Sequence, residues 1–109
     1  MNFNEYQKHA LSTAIYPKES KVIYPALGLC GEAGEVAEKI KKTIRGDTPL
    51  APLDKVTGSI ADELGDVLWY LAILADDLGF DLDKIAHWNV DKLNRRWRKG
   101  RIKGDGDNR

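Results

Sequence analysis

Ile60-Ala-Asp-Glu-Leu-Gly-Asp-Val-Leu-Trp-Tyr-Leu-Ala-Ile-Leu-Ala-Asp-Asp-Leu78 decides the fold class. Ile60, Leu64, Val67, Leu68, Leu71 and Leu78 recur at the spacing of one α-helical face, and no strand-like alternation competes with it. Glu63 and Asp66 flank this stripe, and Tyr70 lies between them in azimuth one turn further on. Trp69 and Ile73 fall well outside it, toward the back of the helix. A second apolar face is covered either by another subunit or by the first or fourth helix of the same chain.

Outward from this segment the chain continues to read as helix. A first helix is expected from about Asn4 to Tyr16, with Asn2 and Glu5 spaced as a capping box and Pro17 just beyond its end. A second runs from the Lys21 region to Arg45 and stops at Gly46. Gly46-Asp-Thr-Pro-Leu-Ala-Pro52 is loop by its glycine and two prolines. The third helix spans about Asp54 to Leu78 and ends at Gly79. Asp81 caps a fourth, Leu82 to about Arg98, beyond which Gly100, Gly104 and Gly106 break the periodicity. The expected fold is all-α, a four-helix bundle-like subunit over residues 1–99 with a basic, glycine-rich tail at 100–109.

The 109 residues make one domain, which buries roughly two-thirds of its unfolded surface. Hydrophobic content of 42% and charged content of 31% are those of an ordinary soluble globular chain. No apolar run approaches the roughly 18 residues of a membrane span, and Met1-Asn-Phe-Asn-Glu-Tyr6 lacks the features of a signal peptide, so a cytoplasmic protein is expected. The single cysteine, Cys30, sits beside Leu29 with no histidine near it in sequence and reads as a buried, inert thiol.

Net charge is zero but unevenly spread. Residues 1–91 hold 9 Lys+Arg against 15 Asp+Glu, and residues 92–109 hold 8 against 2. Such a basic end suits nucleic acid, or a phosphate-bearing small molecule held by metal in the acidic body.

The acids themselves are patterned. Gly31-Glu-Ala-Gly-Glu35 and Asp62-Glu-Leu-Gly-Asp66 supply Glu32/Glu35 and Glu63/Asp66, an E-x-x-E and an E-x-x-D pair. Residues three apart on a helix differ by about 60° in azimuth, so each pair points one way and can hold a cation between its carboxylates. On the second helix Leu29, Ala33, Val36 and Ile40 form the apolar stripe. Glu32 stands at its edge, Glu35 about 60° further out, Lys39 between them, and Glu38 on the opposite, solvated side. Gly31, Gly34 and Gly65 each neighbour an acid of the set and weaken a helix by roughly 1 kcal/mol relative to alanine, which suggests a functional or close-packing reason.

All-oxygen ligands suit hard cations, Mg²⁺ or Mn²⁺. A di-iron centre needs Glu-x-x-His, and neither His9 nor His87 stands three residues after one of these acids. Zinc is disfavoured by the absence of Cys/His spacing. Mg²⁺ held by few carboxylates keeps positions that substrate phosphates fill, and with no phosphate-cradling glycine loop, metal and basic side chains would hold the phosphates. Lys39 reads either as a salt-bridge partner of Glu35 or as a phosphate ligand.

Gly31-Glu-Ala-Gly-Glu-Val-Ala-Glu38, Asp62-Glu-Leu-Gly-Asp-Val-Leu-Trp-Tyr70 and the N-x-x-K-L-x-x-R-W-x-x-G run from Asn89 to Gly100 resemble the MazG-like all-α nucleoside triphosphate pyrophosphohydrolases, relatives of the all-α dUTPases and dCTP pyrophosphatases. The resemblance covers about Leu27 to Gly100. It implies hydrolysis of a nucleoside triphosphate between its α and β phosphates, with Glu32, Glu35, Glu63 and Asp66 binding Mg²⁺ and one of them orienting the attacking water. It further implies that Tyr70 contacts base or sugar, that Lys92 and Arg96 contact phosphate with Asn89 nearby, and that the chain is a homodimer or homotetramer. Arg95 lies off that face. The tail either closes over the site through Arg101 and Lys103 or is a solvated end. The rival readings are a non-enzymatic helical interaction module and a nucleic-acid binder using the basic C-terminal end.

Overall fold

The structure is a computed structural model and describes residues 1–46 and 53–107, the side chains of 53–57 excepted. It is all-α: α1 spans Phe3–Leu11, α2 Ile23–Arg45, α3 Leu53–Asp77 and α4 Leu82–Arg98, with a short 3-10 turn at Lys18–Ser20 ahead of α2. No strand occurs among the described residues. The expected loop at 46–52 lies outside them except for Gly46.

The helix ends follow local chemistry. Asn2 caps α1, its side chain accepting the Glu5 N–H at 2.8 Å, while Glu5 accepts from the Asn2 side-chain amide at 3.0 Å. The expected run to Tyr16 stops short because the Ser12 and Thr13 hydroxyls take the His9 and Ala10 carbonyls at 2.6 and 2.9 Å, turning the chain after Leu11. Gly46 closes α2 in the left-handed conformation, φ +86°. Gly79, φ +84°, closes α3, with the Phe80 N–H donating back to the Ala75 carbonyl at 2.9 Å. Asp81 caps α4 by accepting the Lys84 N–H at 2.8 Å.

The long helices α2 and α3 pack lengthwise, and α1 and α4 pack against α3. The core comprises Ala10, Ala72, Ile73, Ala75 and Leu82, with Trp69, Leu71, Tyr6 and Ile85 packed around it. This settles the second apolar face of α3. Ile73 is fully buried and the Trp69 indole N–H donates to Thr13 Oγ1 at 2.8 Å, so α1 and the turn after it cover that face. Gln7 of α1 ties the layers together, donating to the Ala72 and Phe80 carbonyls, each at 3.1 Å, and accepting the Leu82 N–H at 3.1 Å. Leu64 and Leu78, expected in the core stripe, are about half exposed at 53% and 51%. Ile40 and Ile44, one turn apart on α2, are also exposed. Cys30 is exposed, correcting the buried thiol expected from sequence. No helix among the described residues is long and apolar enough to cross a membrane.

Candidate metal centre

The pairing of α2 with α3 brings Glu32, Glu63 and Asp66 together, one carboxylate oxygen from each lying within 4.8 Å of the others. Three of the four expected acids therefore converge. Glu35 stays outside the trio and is exposed, as its further rotation around α2 requires, although its charge still acts on Glu32.

The electrostatics of the cluster are those of anions short of a cation. Glu32 is pushed above the ordinary carboxylate range, first by its hydrogen bond with Glu63, then by desolvation and the charges of Asp66, Glu63 and Glu35. Glu63 is held below that range, first by its hydrogen bond from Lys39 and then by the one with Glu32. Proton affinity is thus raised at Glu32 and lowered at Glu63, the pattern of neighbouring carboxylates of which only one has a cation beside it. Three converging carboxylates are a donor set that suits a hard divalent ion, Mg²⁺ or Mn²⁺.

Lys39 reaches across to α3 and not along α2 to Glu35. Its ammonium meets Glu63 Oε1 at 2.6 Å and donates to the Ser59 carbonyl and hydroxyl at 3.1 and 2.6 Å. Those contacts use its three donors and clamp α2 to α3 beside the acids. Glu38, in contrast, pairs along its own helix with Lys41 at 3.0 Å.

The aromatic side of the cluster is built on Gly28, a residue the sequence reading passed over. A Cβ placed there would fall inside the Tyr70 ring. Only glycine lets that ring lie against α2. Gly31, Gly34 and Gly65 face open space in this chain, so close packing within the subunit does not explain them. Tyr70 is pushed above the ordinary tyrosine range, first by its hydrogen bond with Tyr24, then by desolvation and the charges of Tyr24, Glu32 and Asp66. It stands beside the acids, as expected.

The basic residues lie elsewhere. Asn89 and Lys92 line a groove of about 410 Å³ on α4 together with Ile85, Trp88 and Arg95. Arg95, set aside at the sequence level, thus shares that surface, whereas Arg96 is buried. The Arg96 guanidinium donates to the Asp107 and Gly106 carbonyls at 3.0 and 3.4 Å and lies 3.5 Å from the Asp107 carboxylate, which also stands 3.9 Å from Lys92. The described part of the tail therefore folds back on α4. Among the described residues no ion pair or hydrogen bond joins Asn89, Lys92 or Arg96 to Glu32, Glu63 or Asp66.

The sequence model of the MazG nucleotide pyrophosphohydrolase domain matches residues 25–100, and the chain belongs to that family. It is also 39% identical, over the whole of both chains, to the Gene 37 protein of Mycobacterium phage L5, whose name states no activity. No solved structure gives a significant match.

Proposed function

We propose that this protein is a Mg²⁺-dependent nucleoside triphosphate pyrophosphohydrolase, releasing the monophosphate and pyrophosphate in nucleotide-pool sanitation or control. The observation that carries the reading is the convergence of Glu32, Glu63 and Asp66 between helices of a MazG-family chain. The trio supplies the ion's ligands, with Glu35 completing the set at its edge. When bound, the ion supplies charge neutralisation for the phosphoryl oxygens and the leaving pyrophosphate. Lys39 holds Glu63 ionised and fixed, Tyr70 borders the nucleoside, and one carboxylate orients the water whose oxygen replaces the broken α–β anhydride bond. A panel of canonical and modified triphosphates with Mg²⁺ or Mn²⁺, with pyrophosphate resolved from orthophosphate, tests this. Pyrophosphate is the expected product, and orthophosphate as the sole product rejects α–β cleavage.

The active form is a homodimer or homotetramer. Its support is twofold: exposed apolar side chains such as Leu27, Ile44 and Leu64, and the lack, among the described residues, of any bond between the acid trio and Asn89, Lys92 or Arg96 within one chain. In this arrangement α4 of one copy serves phosphates held by the acids of another. Sedimentation at micromolar concentration is expected to show a dimer or larger. Mixing inactive Glu63→Gln and Lys92→Ala proteins is expected to restore part of the activity, because some sites then receive both intact halves. A monomer, or no recovery in variants shown to exchange subunits, rejects the shared site.

A further inference from the structure

The segment between α1 and α2 is strained and pinned at one point. Val22 has φ +66° and ψ −51°, and the Ile23 N–H donates to the Lys21 carbonyl at 2.7 Å. That is a γ-turn of the rare, strained hand with a β-branched residue at its centre. Among the described residues every other positive φ belongs to glycine. Asp77, at the end of α3, holds the turn. Its Oδ2 accepts the Val22 N–H at 2.9 Å and the Tyr16 hydroxyl at 2.6 Å. Strain that surrounding contacts maintain at one place is a pointer to function there.

What the tether positions is a row of rings leading to the acids. Tyr16 stacks on Tyr24 with centroids 4.9 Å apart and planes 15° from parallel. The Tyr24 and Tyr70 centroids are 6.2 Å apart with planes 50° from parallel, and Tyr70 follows Asp66 by one turn of α3. Tyr24 keeps 43% of its surface exposed. Glu32 lies eight positions beyond Tyr24 on α2, about 12 Å by the helical rise, a separation that a nucleoside can bridge from its phosphates.

We infer that the Tyr16–Tyr24–Tyr70 row receives the planar base of the nucleotide, and that Asp77 is a positioning residue that holds this row in place through Tyr16 and the turn at Val22. The inference rests on the reading that the carboxylates hold the triphosphate end. Aromatic faces stack on any base, so the row supplies affinity for a nucleoside without selecting one by hydrogen bonds. Phosphate alone gains nothing from it.

That difference sets the test. Calorimetry with Mg²⁺ compares α,β-imido deoxynucleoside triphosphates, which resist cleavage, with inorganic tripolyphosphate, which has no base. Tyr24→Leu and Asp77→Ala are expected to weaken the nucleotide analogues by roughly ten- to a hundredfold and to leave tripolyphosphate binding unchanged. Asp77→Asn keeps an acceptor oxygen and is expected to recover most of the loss. Trp69 packs edge-on to Tyr70 at 5.0 Å, so the near-ultraviolet circular dichroism of Asp77→Ala should change with it. Should Asp77→Ala fail to fold, Tyr16→Phe removes only the tethering hydroxyl and must shift nucleotide affinity in the same direction. Equal weakening of both ligands, or unmoved nucleotide affinity, overturns the inference. A wild-type protein that binds neither ligand overturns the underlying reading of the acid site instead.

Discussion

Glu63→Gln protein is expected to release pyrophosphate at least about a hundredfold more slowly than the wild type, because a metal's charge stabilisation of the transition state is worth several kcal/mol and each ~1.4 kcal/mol is a factor of ten. Glu63 carries two duties that glutamine cannot share. It is one of three converging carboxylates, and its negative charge is what Lys39 answers at 2.6 Å. The amide keeps the volume but removes the charge, so the site loses a ligand and retains an ammonium that repels the incoming ion. The Lys39–Glu63 pair is partly solvated, with 29% and 17% of the side chains exposed, so solvent screens it and breaking it should cost little stability. Melting temperature and far-ultraviolet circular dichroism therefore stay near wild type while turnover collapses. Glu35→Gln is expected to do less damage, since Glu35 stands outside the trio. Pyrophosphate release and Mn²⁺ titration followed by electron paramagnetic resonance read both variants. A Glu63→Gln protein within tenfold of wild type would remove this residue from the chemistry.

The outcome at Glu35 illustrates what a sequence can show about a site. Spacing alone paired Glu32 with Glu35 and Glu63 with Asp66, and the wheel placed Glu32 at the edge of its apolar stripe with Glu35 further round. Helical geometry was therefore enough to rank the two. It could not identify Lys39 as the partner of Glu63, because that contact depends on the axial register of α2 against α3. Register is set by side chains meeting between helices, and Gly28 under Tyr70 is one such meeting. Its signal was present as a third glycine in α2, the one without an acid beside it.

The fold was legible for similar reasons and failed at similar places. Caps at Asn2, Asp81 and Gly46 are local chemistry, and the structure has them where the residues put them. Periodicity, however, identifies an apolar stripe without identifying what covers it. On α3 the fully buried Ile73 came from the back face, while Leu64 and Leu78 of the main stripe remain half exposed. Alanines at 72 and 75 explain the reversal, since small residues let α1 and α4 approach α3 closely on that side. The Val22 turn carried no sequence signal, because valine is a residue that composition rules place in strands or helices and not at positive φ.

Addition of Mg²⁺ or Mn²⁺ is expected to raise the melting temperature by roughly 10–20 °C at an ion concentration about a hundred times its dissociation constant, which corresponds to about 2.7 kcal/mol in a domain of this size. The gain should grow with pH. Glu32 has its proton affinity raised in the folded state, chiefly by the hydrogen bond with Glu63, so the folded protein binds this proton more tightly than the unfolded chain does. In the metal-free protein its contribution is therefore full below the ordinary carboxylate range and is lost as pH rises through the raised value. Glu63 runs the other way: its proton affinity is lowered, so its contribution is present above the ordinary range and fades as pH falls. An incoming divalent ion must displace the Glu32 proton, and binding below the raised value releases it to the buffer. Ion affinity consequently climbs across that window and levels off once Glu32 is ionised. Glu32→Gln imitates the protonated side chain permanently. At neutral pH the metal-free variant should melt higher than the metal-free wild type, yet gain nothing from Mg²⁺ and show no proton release in calorimetry across buffers of different ionisation heat. A wild type whose melting is indifferent to either ion at every pH would separate the carboxylate cluster from metal binding altogether.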